Sequence, residues 1–203
     1  MFRFLPLILL GVVLVAYWGR VLRMAQKVRQ RTGRAANFVP RERVGRMIRI
    51  IWMPVVAIWV AHPFITAFVH APKLLRPLYF NPWIAWPALI MAAMCLILTR
   101  LCWKKMGRDW RMGIDPAENN PLIATGPFAR VRHPIYALSG LMMLATMAMI
   151  PSPVMLAAGL IHLALLGWEA RREEQHMLRL HGDQYVRYQK TVGGFFPRGL
   201  LRS

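Results

Sequence analysis

Three short runs in the C-terminal half of the chain carry side chains able to bind and position a charged, polar ligand. The first, Gly126-Pro127-Phe128, is followed closely by Arg132-His133-Pro134-Ile135-Tyr136. Arg132 offers a planar fork of donors suited to a carboxylate, His133 exchanges a proton near neutral pH, and Tyr136 combines an aromatic face with a polar tip. Pro134 suits the first position of a helix, where its missing N–H costs little, so His133 is a candidate cap and Tyr136 falls in the first turn. The second run is Glu169-Ala170-Arg171-Arg172-Glu173-Glu174-Gln175-His176. Glu169 and Glu173, four apart, share a helix face, and Glu174 is displaced from Glu173 by about 100°. In a chain with 8 Asp and Glu in all, this concentration calls for a cation nearby, either Arg171 and Arg172 or a bound ligand. The third run, from Gly182 through Tyr185 to Tyr188, closes at Phe195-Phe196-Pro197. Gly182 suits a helix C-terminus, and the aromatic residues after it form an amphipathic strip able to fold back on a membrane face and lid a pocket. Each run also has a plain structural reading: lipid contact by Arg132 and His133, an aromatic belt at Tyr136, a solvated Arg–Glu helix face, and a tail resting on the interface.

The charge arrangement shows what kind of scaffold must hold these runs. The 203 residues are 57% hydrophobic, with 27 Lys and Arg and a formal net charge of +19, and the mean hydropathy is +0.37. Such an excess suits a nucleic-acid binder or a membrane protein with basic loops. The charges fall in blocks between apolar stretches about as long as a bilayer is thick, and no basic face is interleaved with aromatics, which excludes nucleic acid. The predicted fold is therefore all-α and polytopic, with about five transmembrane helices at residues 2–19, 47–70, 83–103, 135–150 and 154–168. The last two are short arms of a helical hairpin turned at Pro151-Ser152-Pro153, and a C-terminal helix follows on the cytoplasmic side.

Segments 20–49, 104–134 and 169–203 carry 10, 6 and 7 basic residues, whereas the opposite side has Lys73 and Arg76, with Arg3 at the N-terminal edge. The excess of cations on one side predicts an N-terminus outside, a cytoplasmic C-terminus, and anionic headgroups against the Arg-rich loops, in a bacterial inner membrane rather than the endoplasmic reticulum. The first apolar stretch reads as a retained anchor rather than a leader, with no lipidation signal at Phe2 or at Leu201-Arg202-Ser203. Cys95 and Cys102 share a helix face but stand too far apart to bridge, and the 6 histidines show no paired spacing, so neither a disulfide nor a metal site is expected. Arg49 and Arg100 lie near span ends and read as snorkelling cations, and His62-Pro63 as a kink.

In order, and with a helical hairpin between them, the three runs resemble the C-terminal signature of the isoprenylcysteine carboxyl methyltransferase and phospholipid methyltransferase family of integral-membrane enzymes. The matching pieces are Gly126-Pro127-Phe128, Arg132-His133-Pro134-Ile135-Tyr136, Glu173-Glu174, the stretch from Gly182 to Tyr188, and Pro197. The resemblance divides the chain into residues 1–103, N-terminal spans with an Arg-rich loop, and residues 104–203, a methyltransferase-like catalytic region. It implies methyl transfer from S-adenosylmethionine to a membrane-embedded or lipophilic acceptor, for example a prenylcysteine-like carboxylate. It further implies that Gly126, Pro127, Arg132, His133, Pro134, Tyr136, Glu173, Glu174 and Tyr185 bind the cofactor, while Arg171, Arg172 and Glu174 serve catalysis. On this reading Glu173 and Glu174 accept from the ribose or the ammonium, Arg132 or His133 holds the carboxylate, and Tyr136 and Tyr185 pack on the adenine.

Glu169 stands where many relatives carry an arginine, which leaves open which arginine faces the acceptor. The glycines form no Gly-rich strand-turn-helix of the soluble nucleotide-binding kind, consistent with the membrane family. Two rival readings share part of this layout: an NADPH-dependent sterol-type membrane reductase and a non-catalytic membrane accessory protein. Ile135 in place of Asn and the acidic pair, which repels the phosphates of NADPH, disfavour the reductase.

Overall fold

The computed structural model describes residues 4–33, 40, 42–114 and 121–198. Arg3, Arg34, Arg41 and the extreme C-terminus, all part of the charge reading above, lie outside the described residues. Among those described, six α-helices follow one another: α1 Leu5–Thr32, α2 Arg43–Phe68, α3 Pro82–Met106, α4 Pro134–Met149, α5 Pro153–His181 and α6 Asp183–Thr191. Four of them, α1, α2, α3 and α5, are long and apolar enough to cross a membrane, and α4 is a shorter apolar helix. The chain is thus an all-α polytopic membrane protein.

Local chemistry sets where the helices start and stop. The Asn81 side chain accepts from Trp83 N at the head of α3, with Pro82 in the first turn, and Ser152 does the same for Met155 N at the head of α5, with Pro153 behind it. Pro134 opens α4 as expected, but His133 caps it without any side-chain capping bond, because its ring is engaged elsewhere. Gly182 ends α5 with a positive φ of 47°, the backbone region that only glycine enters at no steric cost.

Two helices overrun their expected spans. α1 continues past Gly19 to Thr32, so Arg20, Arg23, Lys27, Arg29 and Arg31 project from a helix rather than a loop. α5 continues past Trp168 to His181 and carries the acidic pair on an unbroken helix. Lys, Arg, Gln, Glu and Met are good helix formers, and neither extension contains a proline, so hydrophobicity runs out before the helix does.

In the apolar layer α1 packs Leu7, Leu10, Leu14 and Tyr17 inward, and α3 presents Ala85, Ala88, Ala92 and Cys95 toward Met142, Met143 and Met149 of α4. Small residues let helices approach closely where no hydrophobic effect drives association. Several polar groups in this layer are paired internally, as hydrocarbon surroundings favour. Trp52 Nε1 donates to His162 Nδ1 at 3.0 Å, so Nε2 of that ring holds the proton and faces Ser139 Oγ at 3.1 Å. Trp59 Nε1 donates to Thr146 Oγ1 at 2.9 Å. His62 is fully buried and bridges Leu75 O at 3.0 Å and Ser152 Oγ at 3.1 Å, so the His-Pro pair of α2 ties that helix to the hairpin turn as well as carrying Pro63.

Below this layer the backbone closes on itself. Arg132 N donates to Gly193 O at 2.8 Å and His133 N to Gly194 O at 3.0 Å, with Val131 and Gly193 forming an isolated parallel bridge. Tyr188 OH donates to Phe128 O at 2.5 Å. Tyr185, Tyr188 and Val192 bury themselves against Leu122, Met177 and Leu178. The expected aromatic strip therefore packs inward on α5 and the preceding loop, not onto a membrane face, while Phe196 stays exposed.

A Cβ added at Gly193 would sit 1.8 Å from the carbonyl oxygen of Phe196, a backbone atom that no rotamer change can move. Gly193→Ala is expected to separate the tail from residues 131–133 and to destabilise the protein by roughly 1–3 kcal/mol, read as a lower thermal midpoint in detergent. Gly167→Ala, where a Cβ meets nothing within 4 Å, is the matched control and should leave the midpoint unchanged.

Candidate functional site

The segment leading into α4, the polar end of α5 and α6 meet at one carboxylate. Glu174 Oε1 accepts from Arg132 Nε at 2.9 Å and Nη2 at 2.7 Å, and lies 3.1 Å from His133 Nε2. Its Oε2 accepts from Gln189 Nε2 at 3.2 Å. Arg132 Nη1 reaches on to the carbonyls of Val192 and Gln189, so all three guanidinium nitrogens are engaged. Glu173 takes the other half of the cluster. Its Oε1 accepts from Tyr136 OH at 2.5 Å, and its Oε2 lies 3.5 Å from His133 Nδ1.

Both ring nitrogens of His133 therefore face carboxylates, an arrangement that suits the doubly protonated ring. Burial, the largest single influence, pushes its pKa down; hydrogen bonds and charge from Glu173 and Glu174 together outweigh it and bring the group up to about 9. His133 stacks nearly parallel on Tyr136 at 5.7 Å and meets Phe195 at 5.8 Å. Burial also pushes Tyr188 up to about 12 and Tyr185 upward, so both phenols keep their protons at neutral pH.

Two cavities flank this cluster. The first is about 880 Å³ counted out to its mouth and is walled by Trp18, Trp52, Trp103 and Trp110, with Ile48, Leu166 and Ser139; its polar lining is Arg49, Arg111, Tyr136, Glu169 and Glu173. The second is about 750 Å³ and is lined by Leu122, Ile123, His176, Met177, Tyr185 and Tyr188. Both fall in the size range of small-molecule sites, roughly 300–1,000 Å³. Phe128, Arg132, His133 and Glu173 line both cavities, so the acid–imidazole cluster is the partition between them.

Of the residues singled out in the sequence, Arg132, His133, Pro134, Tyr136, Glu173 and Tyr185 line one cavity or both. Glu174 lines neither and instead tethers Arg132 and His133. Gly126 and Pro127 stand behind the site: Gly126 takes a φ of 65° against Lys105, and Pro127 O accepts from Arg130 N and Val131 N, which turns the chain so that Phe128 points inward. Arg171 is exposed and lines neither cavity. Arg172 is held by Glu169 at 2.6 Å and by Glu42 at the head of α2, so its charge fastens α5 to α2.

Arg49 of α2 is the arginine that lines the first cavity, and sequence reading assigned it no role. Its Nη2 donates to Met112 O at 3.1 Å and its guanidinium lies over the Trp52 ring, 5.7 Å from the centroid. Trp52, Trp103 and Trp110 also line the first cavity without any sequence signal for that role. Only the packing of α2 and α3 against α4 and α5 brings the tryptophans to the same space. The Gly193-Gly194 pair was the available signal for a close backbone approach.

Comparison with known proteins adds the family. The family model described as phospholipid methyltransferase matches residues 83–184, just over half of the chain. The chain is 30% identical over 100 residues, 48% of its length and 47% of the relative's, to the "Nickel-cobalt-cadmium resistance protein NccN" of Alcaligenes xylosoxydans xylosoxydans. It is 31% identical over 94 residues, 46% of its length and 44% of the relative's, to the "Cobalt-zinc-cadmium resistance protein CzcN" of Cupriavidus metallidurans. The chain thus spans about half the length of the curated relatives it matches. With helices α3 to α5, the acidic pair and the Arg-His-Pro turn all inside the matched segment, the chain belongs to the phospholipid methyltransferase family of integral-membrane proteins.

Proposed function

We propose that the protein transfers a methyl group from S-adenosylmethionine to a lipophilic acceptor, the cofactor entering the second cavity and the acceptor the first. The observation that carries this reading is that two cavities of different character share one wall, at Glu173, His133, Arg132 and Phe128. A reaction between a water-soluble donor and a lipid-soluble acceptor needs such a meeting point.

The second cavity suits the cofactor's mixed chemistry. Tyr185, Tyr188, Leu122 and Ile123 give an aromatic and apolar lining for a base. His176 is buried there with its Nε2 lacking a hydrogen-bond partner among the described residues, a polar atom left for a ligand. Glu173 supplies a carboxylate for hydroxyl or ammonium groups, while Arg132 and His133, whose donors are taken up by Glu173, Glu174 and backbone carbonyls, contribute positive charge at the cavity edge rather than free hydrogen-bond donors. When bound, the cofactor supplies an electrophilic methyl on a cationic sulfur.

The remaining work falls to the chain. Glu174 and the 193–194 backbone hold Arg132 and His133 in place, so the wall between the cavities is set before either ligand arrives. The indole walls of the first cavity exclude water from the meeting point, and exclusion of water favours a step in which charge is dispersed. Arg49 projects a guanidinium into that cavity and suits an anionic acceptor, the part expected of Arg171 or Arg172. A carboxylate acceptor is already ionised at neutral pH and needs no base from the protein. The basic residues at one end of the bundle favour an orientation with that end, and the site, in the cytoplasm of a bacterium.

Purified protein is expected to bind S-adenosylhomocysteine by calorimetry and not to bind NADPH. NADPH binding alone would move the assignment to a reductase, and binding of neither to an accessory protein. Glu173→Gln should weaken S-adenosylhomocysteine at least about tenfold, equivalent to ~1.4 kcal/mol, whereas Arg171→Gln should leave affinity unchanged. Arg49→Gln should lower methyl transfer to a prenylcysteine carboxylate without altering cofactor affinity.

The His133 pKa also sets a pH dependence. It is raised in the folded protein from 6.5 to about 9, so the stability it contributes is complete below about 6.5 and is lost as pH rises through about 9. The thermal midpoint of the wild type should fall across that interval relative to His133→Gln, measured in the same buffers. An unchanged difference between the two proteins from pH 6 to 10 would mean that His133 is not held as the cation.

A further inference from the structure

Away from both cavities' polar partition, a third groove runs between the polar ends of α1 and α3. Six cations line it: Arg20, Lys27 and Arg31 from α1, and Arg100, Lys104 and Arg108 from α3 and the turn that follows. No acidic residue lines it, and none of the six makes an ion pair among the described residues. Asp109, next to Arg108 in sequence, lines the second cavity instead. All six are exposed. The groove measures about 1150 Å³ counted out to its open mouth.

The spacing on each helix is regular. Arg20, Lys27 and Arg31 stand at i, i+7 and i+11 on one face of α1, Arg100 and Lys104 stand four apart on one face of α3, and Arg108 joins them from the turn that follows. Like charges crowded in this way repel one another and are relieved by a polyvalent anion. The groove is not purely polar, since Met24, Val28, Ile97 and Leu101 form its floor. Along α3, Ile97 and Leu101 continue a stripe with Ile90 and Met94, all four exposed and spaced on one face of a helix that is long and apolar enough to cross the membrane. A hydrocarbon-facing stripe thus leads directly up to the cations.

We infer that this groove is a binding site for an anionic phospholipid whose headgroup carries two phosphates, its acyl chains lying along the exposed stripe of α3. The cations and the stripe make one continuous surface, polar above and apolar below, which matches an amphiphile and not a soluble anion. A basic pocket between transmembrane helices has the form expected for such headgroups. Two phosphates are called for because the cations form two sets on opposite sides of the groove, one phosphate to each. Trp103 lines both this groove and the first cavity, so the bound lipid would rest against the outer side of the wall that faces the acceptor.

Native mass spectrometry of the full-length protein released from phosphatidylcholine nanodiscs, doped with cardiolipin, phosphatidylglycerol or neither, tests this. One cardiolipin should be retained per chain, in preference to phosphatidylglycerol. Each cation near an anionic lipid contributes about fivefold to binding, so Arg100→Gln with Lys104→Gln should lower cardiolipin retention at least about tenfold. Arg23→Gln with Arg29→Gln removes the same charge from exposed positions of α1 outside the groove and should change retention by less than about threefold. Equal losses in the two double variants would overturn the proposal in favour of diffuse surface attraction. Displacement of the lipid by an equal concentration of pyrophosphate, or retention of cardiolipin no greater than that of phosphatidylcholine, would overturn it as well.

Discussion

The polar end of this protein depends on one half-buried carboxylate. Glu174 gathers a guanidinium and an imidazole from one stretch of chain and an amide from another, and charge-assisted hydrogen bonds of this kind are the strong ones. Each partner is fixed a second time by backbone: Arg132 and His133 through the carbonyls of Gly193 and Gly194. The double attachment matters because the segment holding Arg132 and His133 sits outside the regular helices, where few other contacts would hold it. The two side chains are thereby confined to one arrangement at the edge of both cavities.

The neighbouring glutamate has the opposite task. Glu173 is bound by Tyr136 and faces His133, yet it borders both cavities. One helical step separates an acid that tethers Arg132 and His133 from an acid that borders open space. The difference arises from the roughly 100° rotation between adjacent helical residues, which turns Glu174 toward the 131–133 segment and Glu173 toward open space. A second chain of charge runs alongside, from Glu42 through Arg172 to Glu169, and fastens the head of α2 to α5. It thereby presents Arg49, about two turns further along α2, to the first cavity.

Within the apolar layer the constraint is satisfaction rather than charge. Trp52, His162 and Ser139 form a chain of hydrogen bonds across α2, α5 and α4 directly beneath the first cavity. In hydrocarbon none of these groups could turn to water, so their pairing specifies how the three helices rotate against one another. The same rotation determines which tryptophans border the cavity and which face lipid.

Fold class, membrane residence and the helix start at Pro134 were legible from the sequence, because apolar run length and proline placement are local properties whose physics acts within a turn or two. The three chemistry-bearing runs were legible for the same reason, and the family membership confirms the resemblance they carried. The lengths of α1 and α5 were not, because a charged helix is continued by propensity and ended by Gly33 and Gly182 rather than by loss of hydrophobicity. Tertiary structure alone decided that Glu174 is a tether, that Arg172 is spent on Glu169 and Glu42, and that Arg49 reaches the cavity. Those outcomes depend on contacts between residues as much as 130 positions apart, and the direction of a side chain across such a separation is set by how helices pack, which no local pattern records.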